Sequence, residues 1–201
     1  MIAIIDYGMG NLGSVAKAFA AIGAEAKVTT RASDLERASK IVLPGVGAFK
    51  DAMKRLKELE LLGPLALNIR AGKPYLGLCL GMQILFDRSA EGGATKGLGI
   101  IPGSVVRFKE SKLKVPQIGW NRLSIRATAC PLLKGIPDGS WMYFVHSFYV
   151  APKSRAVIAT TTDYGRDFAS MIWSGNIYAT QFHPEKSQAV GMKMLENFVT
   201  L

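Results

Sequence analysis

Residues 75–88 read Tyr-Leu-Gly-Leu-Cys-Leu-Gly-Met-Gln-Ile-Leu-Phe-Asp-Arg, an apolar run that changes into a helical pattern at a cysteine. The pattern predicts a buried strand that ends at Leu78 and a helix from Leu80 to about Arg88. Glycines lie two residues before and two residues after Cys79, so the connection can turn sharply. This order of strand, turn and helix is typical of a nucleophile elbow, here with cysteine in place of serine. A small buried cysteine at the end of a strand is the alternative interpretation.

The segments on either side of this unit indicate the fold class. The first half alternates short strands with helical segments, and its other predicted strands cover 2–5, 24–30 and 40–43. The second half reads as strands joined by short turns, among them one over 141–150, and ends in a helix over 189–199. Strand–helix alternation is typical of parallel strands with crossover helices. We therefore predict an α/β fold with a doubly wound, mostly parallel central sheet flanked by helices and an added antiparallel region. Residues 1–201 are predicted to form one domain.

The composition restricts the partners. Lys and Arg number 25 against 15 Asp and Glu, giving a formal net charge of +10, and 49% of the residues are hydrophobic. Such a chain can bury a core, which excludes disorder. Its basic residues are scattered, and the densest stretch, 107–114, includes Glu110 and no aromatic ladder. Nucleic acid is therefore a weaker hypothesis than an anionic substrate or an acidic protein partner.

The few cysteines and histidines limit the chemistry and the compartment. Two cysteines and two histidines, with no Cys-x-x-Cys pair, predict no metal site and no disulfide framework. The first residues carry no basic region of a signal peptide, and the longest apolar stretch, 75–86, is too short to span a bilayer. We expect a cytoplasmic protein without a cofactor.

A second chemical signal follows the last predicted strand, in Gln181-Phe182-His183-Pro184-Glu185. In extended chain, residues i and i+2 face the same side, so His183 and Glu185 can meet, and the proline favours that geometry. A carboxylate beside an imidazole fixes its tautomer and stabilises its protonated form. A surface turn is the alternative, but a cysteine nucleophile has few possible bases here, since His146 lies in an apolar strand where a packing role is expected. The carboxyl ends of parallel strands share one edge, so this pair and Cys79 are predicted to meet.

Two glycine-rich loops require interpretation. Pro44-Gly45-Val46-Gly47 could present backbone N–H groups to an oxyanion, or it could be a plain strand–helix turn. Gly8-Met9-Gly10-Asn11-Leu12-Gly13 matches the dinucleotide fingerprint, but Thr29-Thr30-Arg31 stands where an acidic residue is expected. Arg31 could bind a 2′-phosphate, so an NADP-binding protein remains an alternative. It would leave the cysteine and His-Pro-Glu segments unexplained.

Together these motifs resemble those of the class I (triad) glutamine amidotransferases, whose elbow reads G-x-C-x-G-x-Q and whose later motif reads H-P-E. Here they stand at 77–83 and 183–185. Within that class the chain is similar to the glutaminase subunits of imidazole glycerol phosphate synthases of histidine biosynthesis. The supporting segments run along the whole chain and are 5–12, 44–49, 119–121, 143–147 and 183–187. The chain departs from the family at Gly13, where a larger residue is usual, and at Gln117-Ile118, where the family has His-Met.

The resemblance implies a glutaminase that releases glutamate and ammonia. It implies that Cys79 is the nucleophile, that His183 transfers the proton and that Glu185 orients His183. By the same resemblance, backbone N–H groups of Val46, Gly47 and Leu80 hold the oxyanion. Substrate-binding positions implied in this way are Gln83 and the backbone near Ser147 and Phe148.

The resemblance also implies a partner, a (β/α)8-barrel cyclase that consumes the ammonia in a heterodimer. Residues matching the family's interface are Asn11, Trp120, Tyr143 and Lys186. Glutaminase subunits of other amidotransferases, of the pyridoxal-phosphate synthase or anthranilate synthase type, share the triad and remain an alternative.

Overall fold

A computed structural model of the chain describes residues 1–109 and 113–201. Part of the basic stretch over 107–114, including Glu110, therefore lies outside the described residues. The helices are α1 (Leu12–Ala21), α2 (Ala32–Arg37), α3 (Phe49–Glu58), α4 (Leu62–Arg70), α5 (Leu80–Gln83) and α6 (Gln188–Val199). The strands are β1 (Ile2–Ile5), β2 (Ala26–Thr29), β3 (Lys40–Leu43), β4 (Tyr75–Leu78), β5 (Phe86–Ser89), β6 (Thr95–Lys96), β7 (Ile101–Arg107), β8 (Gln117–Arg122), β9 (Ser124–Ile125), β10 (Trp141–His146), β11 (Phe148–Pro152), β12 (Ile158–Asp163), β13 (Asp167–Ser174) and β14 (Ile177–Thr180).

The main sheet has a parallel half and an antiparallel half. Its strands follow the order β2-β1-β3-β4-β14-β13-β11-β7-β5-β6, and β12 pairs with both β13 and β9. Neighbours from β2 to β14 run parallel, whereas β13 is antiparallel to β14 and β11 is antiparallel to β7. The predicted fold class is confirmed.

Both faces of the parallel half are covered by helices. In β1, Ile2 and Ile4 belong to a core that includes residues of α1 and α6, whereas Ala3 and Ile5 belong to a core shared with α2, α3 and α4. Because both faces are buried, β1 and β4 are buried and apolar at every position instead of alternating. None of the helices in the described part of the chain combines the length and the apolar character needed to cross a membrane.

The predicted helix from Leu80 to about Arg88 is wrong in its second half. Helix α5 ends at Gln83, and β5 follows and pairs in parallel with β7. The Ile84 carbonyl accepts the N–H of Leu98, and the Leu85 carbonyl accepts those of residues 100 and 101, so neither accepts from a continuing helix. A short apolar run fits a buried strand as well as a helix, and this tertiary pairing decides between them.

The predicted strand over 141–150 is two strands that belong to different sheets. It breaks at Ser147: β10 pairs with β8 in a separate two-stranded sheet, and β11 joins the main sheet between β7 and β13. The break leaves only Ser147 between the two sheets, and residues 145–148 line a cavity together with Cys79, which directly follows β4.

Candidate active site

Cys79 sits on a strained turn between β4 and α5. Its φ of 53° lies in the left-handed region, which is uncommon for a residue with a side chain. Its N–H donates to the Thr180 carbonyl at 2.7 Å, and its own carbonyl accepts the Met82 N–H at 3.0 Å. A Cβ at Gly81 would lie 2.0 Å from the Leu43 carbonyl oxygen, so only glycine fits there. Strain held in this way is typical of functional sites.

His183 and Glu185 form a buried pair beside this turn. Nδ1 of His183 lies 2.8 Å from Oε1 of Glu185, and both side chains are at most 3% exposed. The expected extended geometry holds only at His183, because Pro184–Lys186 form a 3-10 turn. Burial alone would lower the pKa of His183, but its interactions with Cys79 and Glu185 outweigh burial and raise that pKa above its ordinary value. Glu185 therefore holds Nδ1 of His183, and Nε2, which is buried and has no hydrogen-bond partner among the described residues, is the ring nitrogen left to take a proton.

A cavity of 310 Å³ opens at Cys79. It brings together all the predicted oxyanion and substrate-binding positions, and it is lined in part by Val46, Gly47, Cys79, Leu80, Gln83, Ser147 and Phe148. Lys186, predicted for the partner interface, lines the same cavity. The cavity therefore adjoins both the predicted glutaminase site and the predicted partner interface.

The backbone N–H of Leu80 is already engaged by the neighbouring loop. It donates to the Gly45 carbonyl, with a nitrogen–oxygen distance of 3.4 Å. A Cβ at Gly45 would lie 2.2 Å from the Tyr7 hydroxyl, so the 44–47 loop is packed closely. In this arrangement a carbonyl, and not a substrate oxygen, accepts the N–H of Leu80, one of the three predicted oxyanion donors.

A hydrogen-bonded chain leads from the cavity wall to the sulfur. Nε2 of Gln83 donates to the Phe148 carbonyl at 3.0 Å and to Oε1 of Gln181 at 3.1 Å. Nε2 of Gln181 in turn lies 3.4 Å from Sγ of Cys79. The sequence interpretation gave Gln181 no role, although in extended chain it shares a side with His183 two residues later.

Glu91 is a second residue that the sequence interpretation missed. It lines the cavity, and its Oε2 accepts the N–H of Phe49, the first residue of α3, at 2.8 Å. The Ser89 hydroxyl accepts the N–H of Glu91 at 3.1 Å and so fixes its position. Nothing in the local sequence connects this carboxylate with a loop 42 residues earlier in the chain.

His146 has the packing surroundings that its apolar strand predicts. Its ring contacts the rings of Phe108, Phe144 and Phe168, and Nδ1 lies 2.8 Å from the Phe148 carbonyl. Burial is the main cause that lowers the pKa of His146 to about 4, so it is neutral at physiological pH. A carbonyl can only accept, so the proton of the neutral ring lies on Nδ1.

Three of the four predicted interface residues form one cluster. The rings of Trp120 and Tyr143 meet edge to face with centroids 5.9 Å apart, and Nζ of Lys186 lies 5.7 Å from the Tyr143 ring centre. The backbone of Tyr143 also accepts the N–H of His183 at 3.0 Å. Asn11 is exposed and caps α1, where its Oδ1 accepts the Ser14 N–H at 3.2 Å.

The dinucleotide-like loop has other structural roles. Gly8 and Gly10 have positive φ values, which their turn requires, and a Cβ at Gly10 would lie 3.7 Å from Cα of Gly45. Arg31, the residue suited to a 2′-phosphate, instead pairs with buried Asp34 at 3.2 Å. Within the described residues no group of three or more metal-ligating side chains occurs.

Comparison with known proteins gives a single family. The model of the family "Glutamine amidotransferase class-I" matches residues 3–201. The "Imidazole glycerol phosphate synthase subunit HisH" of Syntrophotalea carbinolica is 50% identical, with 98% of each chain covered. The protein of the same description from Geobacter metallireducens is 51% identical, covering 98% of this chain and 96% of that protein. "HisH 1" of Campylobacter jejuni is 51% identical over the full length of both.

Solved structures at low identity share the fold. A crystal structure described as a glutamine amidotransferase matches with a TM-score of 0.77 at 18% identity, covering 100% of both chains. PurLQS from Thermotoga maritima matches with a TM-score of 0.77 at 15% identity, over 99% of this chain and 97% of that chain. Since the family match spans nearly the whole sequence, the chain belongs to the class-I glutamine amidotransferases.

Proposed function

We propose that this chain is the glutaminase subunit of an imidazole glycerol phosphate synthase, which hydrolyses glutamine to glutamate and ammonia for histidine biosynthesis. The observation that carries this proposal is the buried 2.8 Å contact between His183 and Glu185 beside the strained Cys79 turn. The description shared by relatives about half identical over nearly the full length supports the choice of pathway and implies a partner subunit. We propose a (β/α)8-barrel cyclase as that partner.

The first chemical step is acyl transfer to the cysteine. In the reacting state His183 has already taken the proton of Cys79, and the thiolate Sγ attacks the side-chain carbonyl carbon of glutamine. The carbon–nitrogen bond breaks as His183 returns the proton to the leaving nitrogen, so ammonia departs and a thioester remains. Glu185 holds Nδ1 of His183 and stabilises the imidazolium that exists between the two transfers.

The second step returns the enzyme to its starting state. Water attacks the thioester carbon while His183 accepts one of its protons. The carbon–sulfur bond breaks, the product leaves as glutamate after the second proton of the water passes to solvent, and Cys79 regains its thiolate beside the protonated imidazole. The same pair of side chains therefore serves both steps. The mechanism needs a free thiol, which a reducing compartment such as the cytoplasm maintains.

The cavity offers groups that match the amino-acid end of glutamine. Both N–H groups of the Gln83 amide are engaged, which leaves its Oε1 to accept a hydrogen bond. The carboxylate of Glu91 supplies a negative charge for the α-ammonium group of the substrate. The backbone near Ser147 and Phe148 completes this end of the site. Because Glu91 is charged, the site favours a substrate with an ammonium group over an uncharged amide.

Partner control follows from the 44–47 loop. As long as the Gly45 carbonyl accepts the Leu80 N–H, that donor is not free for the oxyanion. Glycines lower the cost of reversing a peptide plane, so docking of the partner can favour a state in which N–H groups of Val46 or Gly47 face the substrate. Ammonia made without an acceptor would be wasted, and this arrangement avoids that.

The isolated chain is expected to be nearly inactive and to be activated about a thousandfold by the cyclase with its ligand bound, equivalent to about 4 kcal/mol of transition-state stabilisation. The measurement is glutamate release from glutamine by the chain alone and with saturating cyclase. Full activity in the isolated chain would contradict partner control. No glutaminase activity in either condition would contradict the proposed function.

Trp120 is expected to anchor the partner. Its side chain is 41% exposed and packs against Tyr143, and exposed aromatic residues often dominate the binding energy of interfaces. Trp120→Ala should weaken the complex by about thirtyfold, equivalent to about 2 kcal/mol. Titration calorimetry with the cyclase gives the dissociation constant.

Leu67 provides the matched control, since it is an apolar side chain 67% exposed on α4, outside this cluster. Leu67→Ala should leave the dissociation constant unchanged. The net charge of +10 favours an acidic face on the partner, so the association rate should also fall as salt rises. Equal affinity of the parent and Trp120→Ala would exclude this docking surface.

A further inference from the structure

The Gln181 side chain is a fully buried amide next to the nucleophile. It follows β14 and reaches Sγ of Cys79 with its Nε2 at 3.4 Å, a hydrogen-bonding distance for sulfur. The proposed acyl transfer and thioester hydrolysis leave this contact without a role. A polar group without access to water is costly unless it is hydrogen-bonded, so its partners define what it does.

The surrounding hydrogen bonds fix which end of the Gln181 amide faces the sulfur. The Phe148 carbonyl can only accept, so the group of Gln83 that meets it is the amide nitrogen. The second N–H of that nitrogen needs an acceptor, and Gln181 provides Oε1 at 3.1 Å. Because the oxygen of Gln181 is used there, its NH₂ group faces Cys79. His146 donates to the same Phe148 carbonyl and so fixes the end of this hydrogen-bonded series that lies farthest from Cys79.

We propose that Gln181 is a catalytic residue whose side-chain N–H hydrogen-bonds the sulfur of Cys79 and stabilises the thiolate relative to the thiol. This inference rests on the proposed glutaminase function, in which Cys79 is the nucleophile. A donor favours the charged form of its acceptor, and the effect is larger in a buried site than in water. Gln83 and His146 act as positioning residues, since they reach the sulfur only through Gln181.

The contact serves both chemical steps. Before acylation it increases the fraction of Cys79 present as thiolate, together with the imidazolium of His183. When the thioester breaks down, the electron pair of the carbon–sulfur bond returns to sulfur, and the same N–H stabilises the leaving thiolate. The hydrogen bond therefore strengthens whenever negative charge develops on Sγ.

The test is the pH dependence of Cys79 alkylation by iodoacetamide, measured in a Cys130→Ala background so that one thiol reports. Gln181→Met keeps the length of the side chain and removes the N–H. The midpoint of the profile is expected to move about one unit to higher pH, with about tenfold slower alkylation below it. Gln117→Met removes an equally buried amide whose Nε2 bonds Asn121 and should keep the parent's midpoint.

A second measurement uses the parent protein and so does not depend on the folding of a variant. The side-chain ¹⁵N–¹H resonances of Gln181 should titrate with the midpoint of the alkylation profile, and this titration should vanish in Cys79→Ala. Resonances that do not respond to thiol ionisation would overturn the proposal. An unchanged alkylation midpoint in folded Gln181→Met, or an equal shift in Gln117→Met, would also overturn it.

The outcome is separable from that of the proposed function. Alkylation and resonance titration need neither glutamine nor a partner. A chain without glutaminase activity that still shows the Gln181-dependent midpoint would refute the function and retain the contact. An active glutaminase whose thiol titrates independently of Gln181 would support the proposed function and refute the role of the Gln181 contact.

Discussion

Glutaminase activity is expected to fall by about a millionfold when Cys79 is replaced by alanine, the scale observed when a triad hydrolase loses its nucleophile. The acyl-transfer step has no substitute, because Cys79 is the one thiol among the described residues that line the cavity. The replacement removes one buried sulfur atom, so the thermal midpoint should stay close to that of the parent. Glutamate release in the presence of the cyclase measures the activity, and thermal unfolding measures the midpoint.

Cys130→Ala is the matched control for this prediction. Cys130 is also buried, and burial raises the pKa of its thiol to about 11, so it stays protonated and is a poor nucleophile. Its removal should change turnover by less than about twofold, since it lies outside the described cavity. Equal losses in the two variants, or turnover above a few per cent of the parent's in Cys79→Ala, would contradict the assignment.

Replacement of His183 with asparagine should reduce activity nearly as much, because base and nucleophile act as a unit. Asparagine keeps a polar side chain but cannot take the proton of Cys79. Glu185→Gln should lose about ten- to a hundredfold less than His183→Asn, since the carboxylate orients and stabilises the imidazole without exchanging its proton.

The pH profile separates the two roles. The negative charge of Glu185 contributes to the raised pKa of His183, so its removal should lower that pKa. The imidazolium is lost above the pKa, and therefore the alkaline limb of activity should move to lower pH in Glu185→Gln. A limb that stays in place, or a His146→Asn variant less active than His183→Asn, would show that another group is the base.

The parallel half of the fold could be predicted because its elements are locally consistent. Strand β1 coincides with the predicted range, and in α1 the apolar positions agree with the side-chain cap that Asn11 provides. The second half depends on pairings that no local pattern contains. The break at Ser147 is one example, since a histidine and a serine within a mostly apolar run do not show that its two ends belong to different sheets.

The candidate site divides in a similar way. Cys79, His183 and Glu185 could be proposed as a triad because each lies in a short motif with a chemical reason for its spacing. Glu91 and Gln181 could not be assigned a role, because what distinguishes them is contact across the fold. The role of such a carboxylate or amide depends on an N–H or a sulfur that is distant in the sequence and close only in the folded protein.

The position of Tyr143 makes the proposed partner surface and the proposed triad near neighbours. Its ring belongs to the exposed cluster with Trp120, while its backbone carbonyl accepts the N–H of His183. Coupling between docking and chemistry therefore requires no long route through the protein. Such coupling is thermodynamically reciprocal: any factor by which the partner tightens binding of a glutamine analogue must equally be the factor by which the analogue tightens binding of the partner. The partner, which accepts the ammonia, would then be bound most tightly when the active site is occupied and ammonia is about to be formed.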